Sequence, residues 1–202
     1  MINQIGWINQ TEDMNQTTQN ENYLTYDQVN IIIAFQKLWL DLASWMRSYI
    51  KAEIYDTKNL QSVKNYLLTL PSEFYDTFSI FYGTIPAQRI MDLMSEFIKS
   101  GMKVVESLKY GDSLLADSRT IEWYKIADDL SSFLARTNIY WDENQWKYLL
   151  YQYIKLKIEE INAIINDNYE EEIKLYNSIE DIVFLMASYM ARGIISSNLK
   201  NI

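Results

Sequence analysis

Apolar residues recur along this chain at steps of three and four, the spacing that keeps side chains on one face of a helix. The first such stripe is Phe35, Leu38, Leu42, Trp45, Tyr49 and Ala52. Thr25 and Gln28 ahead of it have the spacing of a capping box, so a long helix is expected from Thr25 to about Ile54. Leu60, Val63, Leu67 and Leu70 share a face of a shorter helix, and Pro71 opens another that Gly83 closes. A second long helix begins at Thr84 to Pro86, carries Ile90, Met94, Phe97, Gly101, Val104 and Leu108, and stops at Gly111. A third starts at Ser113 or Asp117 and reaches Ala135 through Trp123, Ala127, Leu130 and Leu134. The fourth is marked by Asp142 as cap, Gln145 at N3 and a Trp141/Trp146 hydrophobic staple, and it ends near residues 166–168. The fifth carries Ile173, Tyr176, Ile179, Val183, Met186 and Met190 to around Gly193. Short connections make consecutive long helices antiparallel neighbours, so the expected fold is an all-α, up-and-down helical bundle.

Part of the pattern is written twice. "EFIKSGMKVVESLKYGD" begins at Glu96 and "QYIKLKIEEINAIINDN" begins at Gln152, 56 residues later. At the same offset "SSFLAR" (131–136) meets "ASYMAR" (187–192), with Ser132/Ser188, Ala135/Ala191 and Arg136/Arg192 identical. The repetition predicts two related hairpins, 86–136 and 142–192, packed as a pseudo-twofold, ferritin-like four-helix bundle with the first helix added alongside. Residues 25–202 then form a single domain behind a polar arm, residues 1–24.

The offset also sets charges on a core stripe. Phe97, Gly101, Val104 and Leu108 map onto Tyr153, Lys157, Glu160 and Ile164. Burying Lys157 or Glu160 unpaired costs several kcal/mol, so they pair with each other, reach solvent at the seam edge, or bind something. The missing side chain of Gly101 offers room for the Lys157 stem. Asp129 sits between the inward candidates Ile126 and Phe133, opposite Leu185 in the other hairpin. Phe97 and Tyr153 are expected to face each other midway along the bundle with Leu42 closing the space, and a buried Tyr153 hydroxyl would look to Glu160 or Asp129 for a hydrogen bond.

Composition narrows the chemistry. The chain has no histidine, which removes the commonest general base near neutral pH and the commonest transition-metal ligand. It has no cysteine either, so disulfide and thiolate chemistry are excluded. A net charge of -9 disfavours a nucleic-acid partner, because little is left to neutralise phosphate. The longest apolar run is broken by Lys37 and Asp41 and predicts no membrane span. The amino terminus has neither a basic nor an apolar signal region, which suggests a cytoplasmic protein.

The stretches "LWLDLASWMR" (38–47), "LKYGD" (108–112), "EWYKIADDL" (122–130) and "YWDENQWKYLLYQYIKLKIEEI" (140–161) together resemble a family of small helical proteins from Gram-positive spore-forming bacteria, often labelled acetylglutamate kinase. The resemblance covers roughly residues 30–197. It implies histidines inside the bundle at the positions of Leu42, Phe97 and Tyr153, with acidic neighbours at those of Leu40, Glu96 and Gln152, a pattern like a ferritin-like metal site. This chain keeps Glu96 alone. Kinase activity is not supported by its residues, since Gly6, Gly83, Gly101, Gly111 and Gly193 are isolated and build no phosphate-binding loop.

The sequence therefore suggests a non-catalytic bundle with a structural or interaction role, acting through a protein partner or self-association and holding no cofactor. The alternative is a ferritin-like bundle binding a metal ion or small ligand through Glu96, Asp129 and Glu160, with Tyr153 and Lys157 as polar core residues.

Overall fold

The computed structural model describes residues 23–198, so the polar arm expected over residues 1–24 lies outside the described residues except for Tyr23 and Leu24. Seven helices follow: α1 (Tyr26–Ile54), α2 (Leu60–Leu67), α3 (Leu70–Tyr82), α4 (Thr84–Lys109), α5 (Ser113–Thr137), α6 (Glu143–Ile165) and α7 (Tyr169–Asn198). No strand occurs among the described residues. Local chemistry fixes the starts. Thr25 and Gln28 form the reciprocal capping box, Asp112 accepts from the Leu115 N–H at 3.0 Å, and Asp142 accepts from the Gln145 N–H at 2.8 Å. Trp141 and Trp146 meet edge to face, 6.1 Å between ring centres, as a staple should.

The turn after α4 and the turn after α6 match bond for bond at the offset of 56 residues. Gly111 and Asp167 both take positive φ, 69° and 54°. The Gly111 N–H bonds Leu108 O at 3.1 Å, and Asp167 bonds Ile164 O at 3.1 Å. The Asp112 N–H bonds Ser107 O at 3.2 Å, and Asn168 bonds Ala163 O at 2.9 Å. Each is a Schellman closure, in which a left-handed residue satisfies the last helical carbonyls. Asp112 and Asn168 then cap the next helix.

Packing departs from the expected arrangement at α1. Helices α4, α5, α6 and α7 are antiparallel neighbours in sequence, but α7 does not close the ring by packing along α4. It packs along α1 instead, and α1 reaches α4 both directly and through α3. The first helix is thus a wedge between α4 and α7, not an addition beside a finished four-helix bundle. That position explains its broad buried face, which includes Trp39, Ala43, Met46 and Ile50 beyond the expected stripe. Trp45, expected in that stripe, is half-buried and lies on Tyr66 with ring centres 4.2 Å apart. Ile173, expected inward on α7, is exposed.

Aromatic rings fill the centre. Trp39 stacks on Trp146 at 6.2 Å and meets Phe74 edge-on at 5.3 Å. Fully burying rings of this size removes about 200 Å² of surface each, worth roughly 5 kcal/mol as an upper figure. Core packing, not surface ion pairs of about 0–1 kcal/mol, therefore dominates stability.

Candidate functional site

Midway along the bundle the two hairpins meet through Phe97 of α4 and Tyr153 of α6, whose ring centres lie 5.9 Å apart. Trp123 of α5 completes a three-ring cluster, 5.5 Å from Phe97 and 6.5 Å from Tyr153, and Leu42 of α1 is fully buried as well. The aromatic plug expected from the sequence is present. Its expected polar contact is not: the Tyr153 hydroxyl has no hydrogen-bond partner among the described residues. Burial first, and then the charge of Glu160, raise its pKa well above the ordinary tyrosine value.

One helical turn further along α6 lies a buried charge cluster. Lys157 and Glu160 have no exposed side-chain surface, and their Nζ and Oε2 are 2.8 Å apart. They do not snorkel to the seam edge. Lys157 also donates to the Ala43 carbonyl of α1 at 3.1 Å. Burial lowers its pKa from the ordinary lysine value, opposed by the neighbouring Glu160 carboxylate. Arg47 of α1 links this pair to a second acid. Its Nε donates to Glu172 of α7 and stands 3.8 Å from Glu160 Oε1. Lys51 approaches Glu172 at 3.1 Å, and the Arg47 guanidinium lies 4.1 Å above the Tyr176 ring. Burial raises the Glu172 pKa, but the hydrogen bonds from Arg47 and Lys51 outweigh it and leave the carboxyl below its ordinary value. Tyr176 shares a hydrogen bond with Ser44 at 2.8 Å.

Gly101 does not make room for Lys157. A Cβ there would lie 2.7 Å from the Trp123 ring of α5 and 3.2 Å from the Met46 methyl of α1, so the space serves ring and thioether packing. The charges belong to the second hairpin because α1 presents Arg47, Lys51 and the Ala43 carbonyl on that side.

The other candidates lie elsewhere. Glu96 and Asp129 are exposed and line an open groove of about 340 Å³ between α4 and α5, with Lys99, Lys103, Glu122 and Lys125. Asp129 is thus outward despite its place between Ile126 and Phe133. Three lysines against three acids leave that groove without net charge, and Lys103 already pairs with Glu122 at 3.3 Å. Glu160 stands apart in the core, so Glu96, Asp129 and Glu160 do not converge. Among the described residues no three acidic side chains come together to hold a metal ion.

Sequence reasoning missed Arg47, Lys51 and Glu172. The offset held the signal for one of them: Glu172 maps onto Ala116, and both are buried. No protein-family model, curated protein or solved structure matches the chain. Among the described residues no helix is long and apolar enough to cross a membrane.

Proposed function

We propose that this protein is a non-catalytic helical bundle with a structural or interaction role, built from a duplicated hairpin whose two ends α1 joins. The observation that carries this reading is the filling of the mid-bundle space. Phe97, Trp123 and Tyr153 occupy it with rings 5.5 to 6.5 Å apart, where a ferritin-like protein would set inward Glu and His ligands. The charges beside it neutralise one another: Lys157 is held by Glu160, and Arg47 bridges Glu160 and Glu172. Such a network positions α1 on α6 and α7 and gives each buried charge an opposite charge beside it.

The competing reading is a bundle that binds metal through Glu160. Its one favouring observation is that Glu160 Oε1 lacks a hydrogen bond. Elemental analysis of protein purified without chelators, then loaded with Mn²⁺, Fe²⁺ or Zn²⁺ and desalted, decides between them. Trace metal only, and no shift in Tm, is the expected result. Stoichiometric metal that disappears in Glu160→Gln would replace the proposal with the metal-binding reading.

A further inference from the structure

The two hairpins carry different outer faces. Tyr148, Phe184 and Leu185 stand at the positions where the first hairpin has Asp92, Asp128 and Asp129. In a chain of net charge -9, three aspartates on one hairpin are matched by three large apolar side chains on the other. All three are exposed, at 57, 40 and 56%. Tyr148 and Leu185 flank a groove of about 280 Å³ between α6 and α7, whose lining also includes Ser188 and Arg192 and no carboxylate.

Charge along α7 indicates what covers this face. Asp181, Leu185, Ser188 and Arg192 follow one another at steps of four, three and four, a single helical stripe. Asp181 and Arg192 are exposed, and neither has an ion pair or hydrogen bond among the described residues. The stripe is complementary to itself when reversed. An antiparallel pair of α7 helices centred between Met186 and Ala187 brings Asp181 opposite the partner subunit's Arg192 and Leu185 opposite the partner subunit's Ser188. By twofold symmetry each pairing occurs twice, an isologous contact with a large side chain facing a small one.

We infer that the α6–α7 face is the interface of a symmetric homodimer, made by antiparallel pairing of α7 with the α7 of a second copy. The inference rests on the interaction role proposed above and names the partner as the chain itself. The equivalent stripe of the first hairpin, Lys125, Asp129, Ser132 and Arg136, lacks this complementarity, since the same pairing would set Lys125 against the partner subunit's Arg136.

Sedimentation equilibrium of the full chain over a wide concentration range tests it. A monomer–dimer equilibrium is expected. Leu185→Asp, which installs the first hairpin's own residue at an exposed helical position, should raise the dimer Kd about tenfold or more. Arg192→Asp alone should do the same by setting two aspartates together. The exchange Asp181→Arg with Arg192→Asp restores both cross-pairs and should recover most of the lost affinity. Far-UV circular dichroism establishes that each variant is folded, and the charge exchange keeps the test decisive if Leu185→Asp folds poorly. A wild type that stays monomeric would assign the face to another partner and overturn the pairing. So would a dimer indifferent to Arg192→Asp, or an exchange no better than the single variant. None of these outcomes bears on the metal analysis, so failure of the dimer and failure of the non-catalytic reading are separable.

Discussion

Lys157 and Glu160 are 2.8 Å apart with neither side chain exposed, so removing one leaves the other charged in a medium that solvates it poorly. Glu160→Val should cost on the order of 3 kcal/mol in urea unfolding, and Lys157→Met a similar amount. The double variant Lys157→Met/Glu160→Val, which gives Glu160 the residue of the first hairpin, Val104, should be more stable than either single. Additive losses would show that the two side chains do not act as a pair. Glu172 makes a second prediction at this scale. Its folded pKa lies below the ordinary 4.5. The stability it contributes is therefore present above that value and is lost as pH falls through the folded pKa. Denaturation midpoints measured on acidification should fall more steeply for the wild type than for Glu172→Gln, which has no carboxyl to protonate. The sequence made Lys157 and Glu160 legible because the repeat set them on a core stripe. It gave no warning of Arg47, whose role depends on which helix lies across from it.

Helix boundaries test local chemistry directly. Asp142→Ala removes the hydrogen bond to the Gln145 N–H and should lower stability by about 1 kcal/mol in a thermal melt. An unchanged Tm would mean that Trp141 and Trp146 alone hold the start of α6. Gly193 makes the opposite kind of prediction. The Trp141 ring lies so close to its backbone that a Cβ would overlap it, so Gly193→Ala should cost roughly 1–3 kcal/mol, although alanine is the better helix former. Caps and turns were readable in the sequence because each depends on a few adjacent residues. Gly193 looks like a stop for the same reason, since glycine ends helices often. Its actual use, letting α7 continue to Asn198 against a ring 52 positions back in the chain, is a long-range contact that no local pattern records.

At the scale of the molecule, α1 holds the bundle closed. Because α7 does not pack along α4, a chain beginning at Leu60 would expose the buried faces of both, remove Arg47 and Lys51 from Glu172, and take the Ala43 carbonyl from Lys157. Such a fragment should keep far-UV helical signal but lose near-UV dichroism and bind ANS, the signature of a loosely packed state. A cooperative melt with a native near-UV spectrum would show that the repeated hairpins close without the wedge. The all-helical class was legible from periodicity. The wedge was not, because an amphipathic stripe states that a face is buried and leaves its partner unnamed.

The order in which the ribosome makes these helices now matters. Arg47 and Glu172 are 125 residues apart, so α1 leaves the exit tunnel long before α7 exists. At about 5–20 residues per second, that is a wait on the order of ten seconds. During it α1 has α2, α3, α4 and then α6 to cover its apolar side, and the strip that later receives α7 faces solvent or a chaperone. The last of these seven helices completes the first.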